Sequence, residues 1–438
     1  MQRIYLILLI LFAATASNSA ALVRLDVSRG NIEPIPIAIQ DFEAVNPNAK
    51  EISESITQIV TYNLEFAGLC RRIDPTAALE KATFDVQPRF SNWRKINATI
   101  LLVGKVEVLP EQNIVNVKFR IWDPYGEQQV DALSYQIKYS NWRRLGHKIS
   151  DRIYQRLTGE EGYFDSRVVF VAESGNARNR IKRLAIMDQD SQNFRYLTDG
   201  KQLVLTPRFD SQSQRITYMS YRNREPQVFV LDLNTGLSQL IGKFPGMSFA
   251  PRFAPDGQNL VLSFAKGGST SIYEINIRTN ERKKLTNDFG TISTSPSYSP
   301  DGSKIVFSSD RGGSQQLYIM NRDGSDVKRI SFGQGSYATP VWSPRGDYIA
   351  FTKPNGGGGN FYIGIIQPDG NGERLLASSW LAEGPTWSSN GRVIMFYKQT
   401  SPGASSQLYA VDVTGYGERA ISTVTAGSDP AWSPLLRH

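Results

Sequence analysis

A chain of 438 residues with 40% apolar, 11% aromatic and 21% charged side chains has ample material for buried cores and is no disordered polymer. One cysteine, Cys70, excludes an intramolecular disulfide framework and a thiolate metal cage, and two histidines, His147 and His438, leave the commonest catalytic and metal constellations short of their usual ligand. The formal charge of +8 is scattered along the chain; its densest cluster, Arg178, Arg180, Lys182 and Arg183, falls where a hairpin turn is expected, so a solvated turn outweighs a nucleic-acid surface.

Met1 to Ala21 joins a positive charge at Arg3, an apolar run from Ile4 to Ala14 and the small residues Ser19, Ala20 and Ala21, the pattern of a secretory signal peptide cleaved near Ala21. The apolar run is well short of the roughly 20 residues that a membrane-spanning helix requires. In an oxidising compartment a lone thiol is best buried, and Cys70 follows the apolar Phe66 and Leu69, as an inert core thiol would. Next comes an arm, 22–34, in which Leu22, Arg24 and Asp26 alternate with Val23, Leu25 and Val27. That alternation fits a peptide able to add to a partner's sheet edge, and equally a strand docked on its own protein.

Residues 35–163 predict a small α/β domain with a mixed sheet packed on helices. Ile35 opens a strand. A helix follows from a start at Asn48 to a stop at Gly68, with Ile52, Ile56, Ile59, Val60 and Leu64 on one face. A short strand near Arg72 and a short helix over 91–96 precede three strand patterns, ATILLVGKVEVL, VNVKFRIW and ALSYQIKY. A last helix runs from Trp142 to Leu157. His147 sits on it beside Arg143, Arg144 and Lys148, which reads as a solvated or half-buried position and not a catalytic one.

From 164 to 438 a motif of the form P-x-aromatic-S-P-D-G repeats six times, at Pro207, Pro251, Pro296, Pro340, Pro385 and Pro430, every 44 or 45 residues. Its aromatic member, Phe209, Phe253, Tyr298, Trp342, Trp387 or Trp432, keeps the same spacing. Within each complete period three further strand patterns follow the turn, which makes four antiparallel strands, the unit of a β-propeller blade. Charged runs such as ERKKLT from Glu281 suit an outermost edge that must discourage stray pairing. Before the first motif the chain supplies the second, third and fourth strands of a blade, and after the last it supplies only a first strand. The two fragments complement each other, so six blades are expected, with the C-terminal strand closing the ring.

No G-x-S-x-G, Walker loop or H-E-x-x-H occurs, and the glycine run Gly356 to Gly359 lies in a blade hairpin and not before a helix. Asp256 and Asp301 recur with the turn geometry and read as turn caps, not as calcium or acid-base groups. No catalytic residue, metal site or cofactor is expected.

Topology places the connectors entering each motif strand at one end of the ring and the Pro-Asp-Gly turns at the other. The α/β domain enters a second strand at Ser166, hence at the turn end, and leaves the opposite end free. The rim of that end is set by Leu205 and Thr206, Met247 to Ala250, Ser293 to Ser295, Ala338 and Thr339, Glu383, Ser428 and Asp429. Leu205, Met247, Phe249 and Ala250 form an apolar cluster that marks an interface or plugs the channel mouth.

Signal peptide, short arm, α/β domain and six P-x-W-S-P-D-G repeats, in that order, resemble the TolB family, soluble periplasmic components of the Tol-Pal envelope system of Gram-negative bacteria. The resemblance covers the whole chain. It implies a non-enzymatic, monomeric scaffold supporting outer-membrane integrity and envelope constriction at cell division. It further implies that the propeller binds the peptidoglycan-associated lipoprotein Pal and that the arm, Leu22 to Asn31, binds the inner-membrane protein TolA. Met247, Ala250 and Thr294, with Ser295 beside them, are the counterparts of Pal-contacting positions; Met247 stands where the family often has histidine. A hydrolase or carbohydrate-binding propeller with its site in the channel is the alternative.

Overall fold

The computed structural model describes residues 33–176, 179–222, 225–244, 248–355 and 360–436, apart from the side chains of 248 and 249. The expected signal peptide, nearly all of the arm, Met247 and the side chain of Phe249 therefore lie outside the described residues.

The first part of the chain forms a mixed sheet, with strands ordered Cys70–Arg72, Ile35–Ile39, Ile100–Leu109, Ile114–Asp123 and Gln128–Lys138. The first three pair in parallel and the last three antiparallel. Helices α1, Lys50–Phe66, and α3, Arg143–Thr158, cover one face, and the short α2, Phe90–Lys95, packs on the other with Trp93 buried. The apolar stripe of α1 (Ile52, Ile56, Val60, Leu64) meets that of α3 (Leu145, Ile149, Ile153, Leu157) in one core with the sheet. A Cβ at Gly146 would stand 2.6 Å from Ile59 Cγ2, so the two helices approach each other across a glycine. The start of α1 differs from the sequence expectation. Asn48 belongs to a 3-10 turn, Pro47–Ala49, and the helix begins at Lys50. The nearby asparagine side chain is also engaged elsewhere: Asn46 Nδ2 donates to the Val108 carbonyl at 2.8 Å. Cys70 is buried in this core, and burial pushes its thiol up to about 12, which keeps it protonated and inert.

The second part forms six four-stranded antiparallel sheets arranged as the blades of a propeller. Blades one to five take consecutive strands over 203–243, 248–284, 293–329, 338–379 and 381–420. Blade six joins the last strand, Ala426–Trp432, to the first three propeller strands, Arg167–Ser174, Ile181–Asp188 and Arg195–Tyr196. Gly427 pairs with Ala172 and Trp432 with Val168, so the C-terminus closes the ring as the repeat count requires.

Each innermost strand carries the same irregularity. Its ladder shifts register around the motif proline, and the residue before that proline has a positive φ: Thr206 48°, Ala250 46°, Ser295 53°, Thr339 46°, Gly384 67° and Asp429 49°. A left-handed residue with a Cβ costs on the order of 1 kcal/mol or more, and only one of the six is glycine. The bulge turns each strand so that the residue after the proline lines the channel, at Arg208, Arg252, Ser297, Val341, Thr386 and Ala431.

The two parts share one core. Leu145, Ile149 and Tyr154 of α3 belong to the same cluster as Tyr163, Phe164, Phe170, Met395 and Trp432. Around it, Arg144 forms a fork on Asp165, at 3.0 and 2.8 Å, and donates to the Leu436 carbonyl at 2.6 Å. Glu160 receives Arg392 of the blade-five turn and Arg345 of the blade-four turn. The α/β part therefore sits against the Pro-Asp-Gly end of the propeller.

Asp151 anchors this junction. Its carboxylate accepts from the Phe164 N–H at 2.7 Å and the Asp165 N–H at 3.0 Å, yet burial outweighs both donors and pushes the group up to about 7. An acid raised above its unfolded value of 3.8 adds stability that is complete below about pH 4 and lost as pH rises through about 7. Urea unfolding of the full chain is expected to lose on the order of 1–3 kcal/mol across that window, and Asp151→Asn to remove this part of the slope. Parallel slopes for the two proteins would contradict the assignment.

Candidate functional site

The end of the propeller opposite the α/β part is built from the connectors between an outermost strand and the next innermost one. These connectors bring large apolar side chains into solvent: Phe289 at 91% exposure and Ile292 between blades two and three, Phe332 at 72% between three and four, Trp380 between four and five, and Val424 at 73% between five and six. Leu203, exposed at the entry to blade one, continues the series. Isolated exposed apolar residues are ordinary; one or more from each of the four connectors between blades two and six, all at one end, form an apolar rim with polar surroundings.

The residues singled out in sequence lie on the same end but deeper. Leu205 is half-buried and packs on the core between blades one and two. Ala250 is buried and holds the strained position before Pro251. Thr294 is half-buried, paired with Ser308 in the blade-three ladder, and Ser295 is the half-buried strained residue before Pro296. Sequence reasoning missed Phe289, Ile292, Phe332, Trp380 and Val424. Their only signal is a large apolar residue within an otherwise polar connector a few positions before each motif proline.

Charge is unevenly placed around the channel. Blades five and six contribute Glu383, Asp429 and Glu173, with Lys182 2.9 Å and Arg180 3.3 Å from the Glu173 carboxylate. Burial pushes Glu383 and Asp429 above the usual carboxylate range, and Tyr397 Oη donates to Glu383 at 2.8 Å. Blades one and two contribute Arg208 and Arg252. The basic sequence cluster around Arg180 is thus tied in part to an acid of its own blade.

His147 differs from its sequence reading. It is 2% exposed, because the flanking charges that suggested solvent meet acids from the propeller side: Arg143 with Asp190 at 2.5 Å, and Arg144 and Lys148 with Asp165. Among the described residues, His147, Asp188 and Asp190 form the one cluster of His and acidic groups compact enough for a metal. The hydrogen bonds do not fit one. Asn63 Nδ2 lies 3.0 Å from Nδ1 and can only donate, which places the ring proton on Nε2, facing Asp190 at 3.7 Å. Asn63 also donates to Ser150 and accepts from Gln189, so the cluster is a buried polar joint between the two parts.

Two family models match the chain: the TolB amino-terminal domain over residues 23–130 and the TolB beta propeller domain over residues 154–436. The chain is also 43% identical, over 376 residues, to the Tol-Pal system protein TolB of Gluconobacter oxydans (strain 621H), covering 85% of this chain and 80% of that protein. The chain belongs to the TolB family. The crystal structure of TolB from Acinetobacter baumannii superimposes with a TM-score of 0.81 at 26% identity, over 92% of this chain and 97% of that one. As a TolB-family member the chain is a Tol-Pal system protein. No helix of the described residues is long and apolar enough to cross a membrane.

Proposed function

We propose that this TolB-family chain is a periplasmic, non-enzymatic scaffold that docks the lipoprotein Pal on the free rim of the propeller and TolA on the arm 22–27. In this reading a signal peptide, 1–21, is removed, the arm spans 22–34, the α/β domain 35–163 and the propeller 164–438. The protein acts as a monomer, without a cofactor and without nucleic acid. One observation carries the assignment of the rim: the α/β part covers the turn end through Glu160, Arg345 and Arg392, while the other end displays Phe289, Phe332, Trp380 and Val424 to solvent. Interfaces of stable partners are built around such aromatic anchors with polar borders.

The cavity at the turn end of the channel favours the scaffold over the hydrolase: it is lined by arginine, serine, threonine, glutamine, proline, aromatic and small apolar residues, with no histidine, carboxylate or lysine among them to serve as a general base, and the channel carboxylates Glu383, Asp429 and Glu173 lie outside that lining.

Calorimetric titration of the mature chain with the soluble domains of Pal and TolA tests both halves of the proposal. Removal of 22–27 is expected to abolish TolA binding and leave Pal binding intact. Loss of both together, or of neither, would contradict the division of labour.

A further inference from the structure

The six positions that follow the motif prolines surround one cavity of about 440 Å³ on the propeller axis. Four of them are small, Ser297, Val341, Thr386 and Ala431, and two adjacent ones are Arg208 and Arg252. The small residues leave room beside the two arginines, which line the same cavity. Arg208 is 5% exposed and Arg252 9%. Among the described residues neither forms an ion pair within 4.0 Å, and the Nε of each is buried without a hydrogen-bond partner. Arg208 donates from Nη1 to the Pro207 carbonyl at 2.7 Å and faces Asp429 at longer range; Arg252 has no partner at all among the described residues. Its strongest electrostatic neighbour is the like charge of Arg208.

Two buried cations side by side are costly unless a negative charge compensates them, and guanidinium forks are shaped for planar oxyanions. Other blades offer further donors to the same cavity. Ser297 Oγ accepts from the Trp342 N–H and Thr386 Oγ1 from the Trp432 N–H, both at 3.2 Å, so each hydroxyl keeps its proton free to donate. We propose that this cavity is an oxyanion site, in which Arg208 and Arg252 hold a small phosphate or carboxylate ion with Ser297 and Thr386 completing the donor set. Carboxylate and phosphate present the same chemistry to this wall, and the probes below separate them.

The full chain is titrated with inorganic phosphate and, separately, with succinate, each against sodium chloride at equal ionic strength. Thermal unfolding and calorimetry supply the readouts. A saturable rise of a few degrees in the unfolding midpoint with one-to-one stoichiometry is expected for at least one of the two anions, and whichever binds names the class. Arg252→Gln is expected to weaken that binding by at least about tenfold. In chloride alone the same variant should be no less stable than the parent, because it removes an uncompensated buried charge. Absence of a saturable effect with either anion on the parent protein would overturn the proposal, as would an undiminished effect in a folded Arg252→Gln. If that variant does not fold, the parent titration decides alone.

Discussion

Replacement of Trp432 by alanine is expected to lower the unfolding free energy by about 3–5 kcal/mol, and deletion of 426–438 to prevent the propeller from folding as a unit. Trp432 is buried in the core shared by the two parts of the chain, packs edge-on against Tyr163 at 5.7 Å, and donates from Nε1 to Ser166 Oγ at 2.8 Å. The residues beyond it extend the seam: the Ser433 N–H donates to the Arg167 carbonyl, and the Leu436 N–H to the Asp165 carbonyl, each at 2.8 Å. Truncating the indole leaves a cavity, removes the donor to Ser166 Oγ, whose own proton stays on the Tyr163 carbonyl at 2.6 Å, and loosens the seam at once. Deleting the strand exposes the inner edge of blade six, an unpaired row of backbone groups open to stray association. Urea titration followed by tryptophan fluorescence measures the first effect and size-exclusion chromatography the second. A loss below about 1 kcal/mol for Trp432→Ala would mean that the seam does not lock the ring.

Charges placed on the rim are expected to act on binding and not on folding. Phe289→Asp combined with Phe332→Asp should weaken Pal binding by at least about 100-fold, roughly 3 kcal/mol, because each carboxylate would have to be desolvated against a partner shaped for an aromatic anchor. Both side chains are exposed in the free protein, so the unfolding free energy should change by less than about 0.5 kcal/mol each. An unchanged affinity would move the docking surface off these connectors.

The repeat and its missing strand were legible because a propeller keeps each element at a constant spacing, and the strand pairing of Ala426–Trp432 with Arg167–Ser174 follows from counting alone. The helices of the α/β part were legible from apolar positions at helical spacing. What escaped depends on partners far away in sequence. His147 reads as solvated among Arg143, Arg144 and Lys148 because the acids that neutralise them, Asp165 and Asp190, come from the other side of a domain junction. Arg208 and Arg252 likewise look like surface charges within their motifs; only the ring of blades places them around one cavity with four small residues. At Thr206, Ala250, Ser295 and Thr339 the strained residue before the proline carries no local signal, since threonine, alanine and serine do not favour a positive φ. The rim aromatics are single residues in connectors, and their common direction appears only once the blades are placed around an axis.

The division of the molecule into a covered end and a docking end is tested most directly by hydrogen-deuterium exchange of the full chain with and without Pal. Protection on binding is expected in the connectors 286–293, 331–337, 379–382 and 421–427, with the Pro-Asp-Gly turns and the α/β part unchanged. Protection centred instead on the turns around Asp256 and Asp301, or on the α/β part, would contradict the account.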